Sequence, residues 1–454
     1  MNKIKYTILL CSFITCFTSC RKYVEIPPQQ TRTLTTTADY QGLMYNSNVM
    51  NLAYFYPVFS GDDAGSTTTA WQNSLISAAS NVYTWAAAYY GNTEQDADWN
   101  SLYKQLYICN TVVTGVMGSQ SGTQAQKQLA LSDALVHRAF IYYTLVNLYA
   151  TQYDAATAAT DPGVPLVLQP NFVSNLTRVS VQKIYDQVLS DLNSALPGLP
   201  NLPDFNSNPS KAAVYALLAR VYLNTRDFTQ AEKYANSSLA LTSTLLDLNA
   251  YIAVPTTIPT QLNNREEIFF KKTVQYPSVF PLSADALSLF NTKDLRYQIF
   301  TLDASKIPGA TFTGRGYYRQ KLANDGTYVG LSVPEMMLIK AECEARAGNT
   351  ATALGVLNTL RKKRFKPADY ADLTAADANT ALHDVTDERK REFVGRGFWW
   401  FDQRRLSKDA GFVSTVTRVF KGATYTLEPG SNRYTYPIAP VIIQFNPEII
   451  QNPR

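Results

Sequence analysis

Apolar residues recur at helical spacing through much of the chain. In residues 96–118 they fall at Trp99, Leu102, Tyr103, Leu106 and Tyr107. In 124–150 they fall at Leu135, Ala139, Tyr142, Tyr143 and Val146. Each segment predicts a helix with one buried face. Residues 180–200 predict a third helix, with Ser180 as N-cap and a stop near Pro197-Gly198. Residues 210–241 predict two helices folded back on each other. Ala219, Tyr222, Phe228, Ala231 and Ala235 stand where a tetratricopeptide repeat needs its small and aromatic packing residues. Residues 333–364 repeat the pattern with Ala341, Ala353, Leu357 and Leu360, and with Gly348-Asn349 as the turn. The copies are far apart, so the array is interrupted. The expected fold class is mostly α: a scaffold of tetratricopeptide-like helical pairs, with a loop-rich lobe that carries the ligand site.

The periodicity lapses in 55–95, 150–178, 245–335 and 408–440, which are rich in Thr, Asn, Gly, Pro and aromatics. Long loops in a compact chain carry function or are disordered, and this many rings argue for order. Residues 425–429 and 433–440 predict short strands.

The first twenty residues, MNKIKYTILLCSFITCFTSC, place Lys3 and Lys5 before an apolar run from Tyr6 to Phe17. That run is too short to span a bilayer and has the form of a secretory signal. It ends in Thr-Ser-Cys, which looks like a bacterial lipobox. Residues 1–19 are then a signal peptide, and Cys20 is the acylated first residue of the mature chain, anchored in membrane lipid. An ordinary signal peptide with incidental cysteines is the alternative. Residues 20–38 are polar and proline-containing, which suits a tether, and 39–454 form one domain. Losing residues 1–19 removes two lysines and no acids, so the net charge falls from +5 to +3. A balance this small, spread along the chain, does not predict nucleic-acid binding. Cys109 and Cys343 lie on predicted helices and are expected to be buried small apolar residues, not a disulfide pair.

Catalytic motifs are missing. The chain has two histidines, no HExxH, no CxxC pair, no Gly-x-Ser-x-Gly and no phosphate-cradling glycine loop. His137 sits in an amphipathic helix and is expected to be a packed or hydrogen-bonded residue. No catalytic residue, metal or cofactor is expected. The loops offer aromatics instead. Flat rings stack on the CH face of a pyranose, while amides and carboxylates take its hydroxyls, in keeping with pockets that mix apolar faces and a few polar groups. The candidate stacking residues are Trp71, Trp85, Tyr89, Tyr276 and Tyr317, with Asp62, Asp63 and Asn92 as hydroxyl partners. For any single ring, a core or loop-anchoring role is the commoner one.

The segment ERKREFVGRGFWWFDQRR, residues 388–405, sets four aromatics among dense charge. It resembles the C-terminal signature of SusD/RagB outer-membrane nutrient-binding lipoproteins of Bacteroidetes. Glu388, Arg389, Glu392, Phe393, Gly397, Trp400, Phe401, Asp402 and Arg405 match that pattern. Arg396 stands where the family has Glu, and Trp399 where it has Arg, so the local salt-bridge network should differ. The resemblance extends, in order, through YVEIPP, ALVHRAFIYYTLVNLYA, GVPLVL, SKAAVYALLARVYLN, NREEIFF, DLRYQIF, PEMMLIKAECEARAG and YPIAPVIIQFNPEIIQNP. Glu388 and Glu392 lie one helical turn apart. With Arg389, Phe393, Trp400, Phe401, Asp402 and Arg405 they are expected to clamp a helix onto the scaffold. The resemblance implies a surface-exposed, lipid-anchored outer-membrane protein that captures a nutrient, usually a glycan. It would pass that ligand to a SusC-like TonB-dependent transporter, which it caps as a lid, without making or breaking a bond. A glycan-active enzyme and a peptide-binding adaptor using its repeat groove stay open as rivals.

Overall fold

The computed structural model describes residues 34–171, 175–274, 279–323 and 325–454. The signal segment, Cys20 and Tyr276 lie outside them. Residues 37 and 38 of the expected tether already belong to a short helix, Thr37–Met44, which opens on a Thr36–Asp39 capping box.

Helices dominate, with small antiparallel sheets between them. The long helices are α1 (Ala97–Gly115), α2 (Gln124–Tyr149), α3 (Val181–Ala195), α4 (Lys211–Thr225), α5 (Phe228–Leu241), α6 (Val333–Arg346), α7 (Thr350–Arg361), α8 (Ala378–Glu392) and α9 (Phe398–Leu406). The predicted pairs form: α1 packs on α2, α2 on α3, α4 on α5, α5 on α6, and α6 on α7 and α8. Ser180 caps α3 through the Lys183 amide, and Pro197 and Gly198 fall in the 3-10 turn that ends it. Gly348 makes the α6–α7 turn at φ +85°, and the α4–α5 turn is made by Arg226 at φ +67°. Cys109 and Cys343 are buried and unbridged.

α2 departs from the one-faced pattern. From Ser132 to Tyr149 every residue is buried, as expected of a helix packed on all sides. Its polar side chains are paired internally. Arg138 makes a two-pronged pair with Asp191 of α3, at 2.8 and 2.7 Å. His137 lies between the Lys271 ammonium, 2.7 Å from Nδ1, and Asp133, 3.3 Å from Nε2. Burial and the neighbouring Lys271 push the imidazole pKa well down. The last carbonyls of a helix have no partner within it. Here each finds one from a distant part of the chain. Arg404 donates to Asn147 and Ala150, the Tyr436 amide to Leu148, and Arg178 and Asn452 to Tyr149. Cations at this end also meet the negative pole of the helix.

The loop-rich side holds a three-stranded sheet, in the order Phe280–Pro281, Arg315–Tyr317, Thr301–Asp303. It also holds a hairpin of Val416–Phe420 and Ala423–Leu427. Lys421 and Gly422 both have positive φ, 48° and 80°, as a two-residue hairpin turn requires. The strand expected at 425–429 is thus present in its first part. Residues 433–440 are not a strand: a 3-10 turn covers Asn432–Tyr434 and irregular chain follows. Tyr434 and Tyr436 are both buried because they pack on Trp400, at ring distances of 5.0 and 5.6 Å, so tertiary packing produced the alternation.

A candidate ligand cleft and the clamp behind it

The loops opening at residue 55 and at residue 279 face each other across a cleft of about 690 Å³. One wall carries Phe55, Phe59, Trp71, Leu75 and Ile76; the other carries Phe280, Ile307, Phe312, Tyr318 and Lys321. Phe55 and Phe59 sit four residues apart around the helix Pro57–Ser60, with ring centroids 5.3 Å apart. Phe59 reaches Phe280 of the opposite wall at 6.2 Å. The walls are joined at the base, where the Ser283 amide donates to the Asp63 carbonyl at 2.8 Å. At the rim, the Thr313 amide donates to Thr68 Oγ1 at 3.4 Å. Among the described lining residues there is no Asp, Glu, Asn or Gln, and Lys321 is the one charged side chain.

Only one of the sequence candidates among the described residues lines this cleft. Trp71, 4% exposed, lines it and is held edge-on by Tyr83 at 5.2 Å. Trp85 is 2% exposed and has no free face for a ligand. It takes φ +50°, its Nε1 donates to the Ser60 carbonyl at 3.0 Å, and the Arg418 guanidinium lies 4.3 Å from its ring. Tyr89 is fully buried between Tyr436 and Arg454. Tyr317, 2% exposed, stacks on Phe280 at 5.5 Å behind the wall. Asn92 is exposed and lines no described cavity. Asp62 is half-buried and pairs with Lys390 at 3.6 Å. Asp63 is buried and accepts the Gly395 amide at 3.1 Å; burial pushes its pKa up to about 7. Trp85, Tyr89, Tyr317 and Asp63 are therefore framework, because other parts of the chain cover them. Tyr318, Phe280 and Phe312 were missed. They lie in the ring-rich loop 245–335, where nothing in the sequence separates a cleft ring from a core ring.

The hairpin braces the first wall. Arg418 is buried and, among the described residues, makes no ion pair at contact distance, with Asp62 and Asp63 acting on it from farther off. It donates to the carbonyls of Phe59 and Tyr83, at 2.9 and 2.6 Å, and to that of Gly61. Its guanidinium is 4.3 Å from the rings of both Tyr83 and Trp85. Gln72 Nε2 donates to Val419 O at 2.9 Å, and Gln72 Oε1 accepts the Lys421 amide at 2.6 Å.

The signature segment lies behind the cleft as a buried lattice of charge. Glu388 takes Arg296, Arg361 and Arg391, at 2.7, 2.8 and 2.8 Å. Glu392 takes Arg296 and Arg364, each at 2.8 Å. Asp402 joins Arg389 and Arg405, at 2.8 and 2.7 Å, and Arg405 also grips Glu342 of α6 at 2.6 and 2.8 Å. Burial opposes ionisation of Glu388 and Glu342, but the surrounding arginines outweigh it and hold both pKa values near about 2. Phe393 stacks on Phe398 at 4.5 Å, Phe401 meets Tyr54 edge-on at 5.2 Å, and Trp400 is fully buried. The two departures from the family pattern find other partners. Arg396 lies over Phe393 and Tyr328, and Trp399 receives Lys390 at 4.5 Å. Gly397, at φ +77°, starts α9 where a Cβ would lie 2.8 Å from Pro57. The clamp and the cleft wall thus meet backbone to backbone.

Residues 30–223 match a SusD-like family described as starch-binding associating with outer membrane, and residues 333–454 match the SusD family. The chain belongs to the SusD/RagB family. It is similar to SusD-like protein P2 of Formosa agariphila, 26% identical over 139 residues, which are 31% of this chain and 26% of that protein. That match spans about a quarter of the curated relative's length. The fold is similar to a SusD superfamily protein from Bacteroides thetaiotaomicron, with TM-score 0.73, 21% identity, and 92% and 100% of the two chains covered. It is also similar to surface glycan-binding protein A from Bacteroides uniformis, with TM-score 0.67, 17% identity, and 92% and 99% covered. Among the described residues no helix is long and apolar enough to cross a membrane, and no group of His, Cys, Asp and Glu is arranged to hold a metal ion.

Proposed function

We propose that this SusD/RagB protein captures a glycan at the cell surface in the cleft between residues 55–79 and 279–321. It then delivers the glycan, unbroken, to a SusC-like TonB-dependent transporter that it caps. Cys20 carries the acyl anchor, and the residues between it and the helix at Thr37 act as its tether. The observation that carries the reading is the cleft itself: an aromatic-lined hollow of about 690 Å³, within the size range of ligand sites, on a helical-pair scaffold of this family. Trp71 and Tyr318 are the rings assigned to stacking. The surface glycan-binding protein A among its structural neighbours supports the same reading. The lack of amide and carboxylate side chains in the described lining favours, as a second reading, an oligomer with fewer hydroxyls, such as a peptide.

Affinity electrophoresis of residues 21–454 against neutral and acidic polysaccharides, with sugar analysis for cleavage, tests the proposal. Retardation without shortening, lost in Tyr318→Ala, is expected. Shortened products would make the protein an enzyme. Retardation unaffected by Tyr318→Ala would move the site, and binding of peptides alone would move the ligand class.

A further inference from the structure

A second hollow, of about 260 Å³, shares no lining residue with the cleft. It lies between the start of α1 and the short helix Pro440–Phe445. Trp99 and Tyr103 of α1 form its platform. Their ring centroids are 4.7 Å apart with the planes inclined by 33°, so the two rings overlap obliquely, and Trp99 is buried. Three contacts fix the hollow from outside. Tyr149 meets Trp99 edge-on at 4.9 Å, the Tyr103 hydroxyl donates to Pro165 O at 2.9 Å, and the Leu176 amide donates to Glu448 Oε1 at 2.9 Å. Across from the platform, Val441 and Ile442 are buried, but Phe445 is 76% exposed. A large ring left in water beside a preformed hollow is not spent on the core.

The rim supplies what the cleft lacks. Gln95 and Asn100 stand at it, linked by a hydrogen bond of 2.8 Å from Asn100 Nδ2 to Gln95 Oε1. That bond leaves the Gln95 NH2 to donate and the Asn100 carbonyl to accept. Asn446 Nδ2 donates to Ile442 O at 2.8 Å, which leaves Asn446 Oδ1 as a further acceptor. Among the described lining residues no side chain carries a charge. Rings with amides at their edges fit a ligand that has an apolar CH face and a rim of neutral hydroxyls. A charged ligand would give up its hydration here with nothing to replace it, and a purely apolar one would leave the amides unpaired.

We propose that this groove is a second binding site, for a neutral saccharide. One sugar ring would lie against the open side of the Trp99–Tyr103 stack and be covered by Phe445, with its hydroxyls on Gln95, Asn100 and Asn446. The groove would hold a second stretch of a long polysaccharide while the cleft holds the first. The effective concentration of two linked sites would then strengthen the grip on polymer far more than on short oligomers.

Hydrogen exchange and titration calorimetry on residues 21–454, with maltohexaose, laminarihexaose, cellohexaose and xylohexaose as probes, test this. At least one hexasaccharide is expected to protect residues 95–103 and 440–446. The double variant Phe445→Ala, Asn446→Ala changes an exposed ring and a rim amide, so its melting temperature should stay that of the parent. It is expected to weaken that protection by about tenfold or more. Tyr318→Ala should leave protection of the groove intact, so failure of the cleft and failure of the groove are told apart. Protection of neither segment by any hexasaccharide, or a double variant that binds like the parent, would overturn the proposal.

Discussion

Arg405 and Arg418 are both buried guanidiniums, yet they are held in opposite ways. Arg405 sits among helices and meets carboxylates, Asp402 and Glu342. Arg418 sits among loops and short helix ends and meets carbonyls. The difference follows from where free backbone acceptors exist. Inside a long helix each carbonyl is already bonded along the axis, so a buried arginine there needs an acidic side chain. In irregular chain and at helix ends carbonyls are unclaimed, and an arginine can serve several at once. Arg404 at the end of α2 follows the second rule. The scaffold is thus fastened by paired charge, and the cleft wall by cations on bare backbone.

The contrast breaks most sharply if Asp402→Ala proves mild. That change leaves Arg389 and Arg405 short of a buried partner and should cost about 3–5 kcal/mol. Thermal melting should show the loss, while ligand affinity per folded molecule stays almost unchanged. Arg418→Met should cost less, about 1–3 kcal/mol. It should, however, weaken ligand binding by about tenfold, because the wall that carries Phe59 and Trp71 loses its brace; calorimetry on the folded fraction would show it. Acid separates the two further. Glu342 and Glu388 have folded pKa values near about 2, below their ordinary 4.5. Their stabilisation is therefore complete above pH 4.5 and is lost as pH falls towards about 2. Melts at pH 7 and pH 3 should show the penalty of Arg405→Ala shrinking in acid more than that of Arg418→Met, since the carbonyls that Arg418 serves do not titrate and only the more distant Asp62 and Asp63 do. The smallest effect concerns Asp63, a buried carboxylate with no arginine ion pair. Its pKa is raised to about 7, so the fold favours its protonated form and loses stability as pH rises from about 4 through 7. Asp63→Asn should melt like the parent at pH 3 and a few degrees higher at pH 8. Equal melting at both would remove the cost assigned to that carboxylate.

The helices were legible because their signal is local. Caps, periodicity and a turn glycine all lie within a few residues of the element they define, as at Ser180 and Gly348. The signature was legible because charge and aromatics crowd into eighteen residues, although its partners Arg296, Arg364 and Glu342 could not be named from spacing. The cleft was half legible. The sequence marks 55–95 and 245–335 as ring-rich loops, but the fate of each ring is settled by residues hundreds of positions away. Trp85 is covered by Arg418 and Tyr89 by Tyr436, so neither could be told from Trp71 by its neighbours. The strand expected at 433–440 failed for the same reason: Trp400 decides where Tyr434 and Tyr436 point.

The end of α2 has a consequence in time. A chain made from its N-terminus completes that helix some 250 residues before Arg404 exists and some 300 before Asn452 does. Through that interval the carbonyls of Asn147 and Ala150 lack their arginine donor. A stretch made some 250 residues later is therefore the latch of the core made before it, so that core would stay pliable until Arg404 had been made.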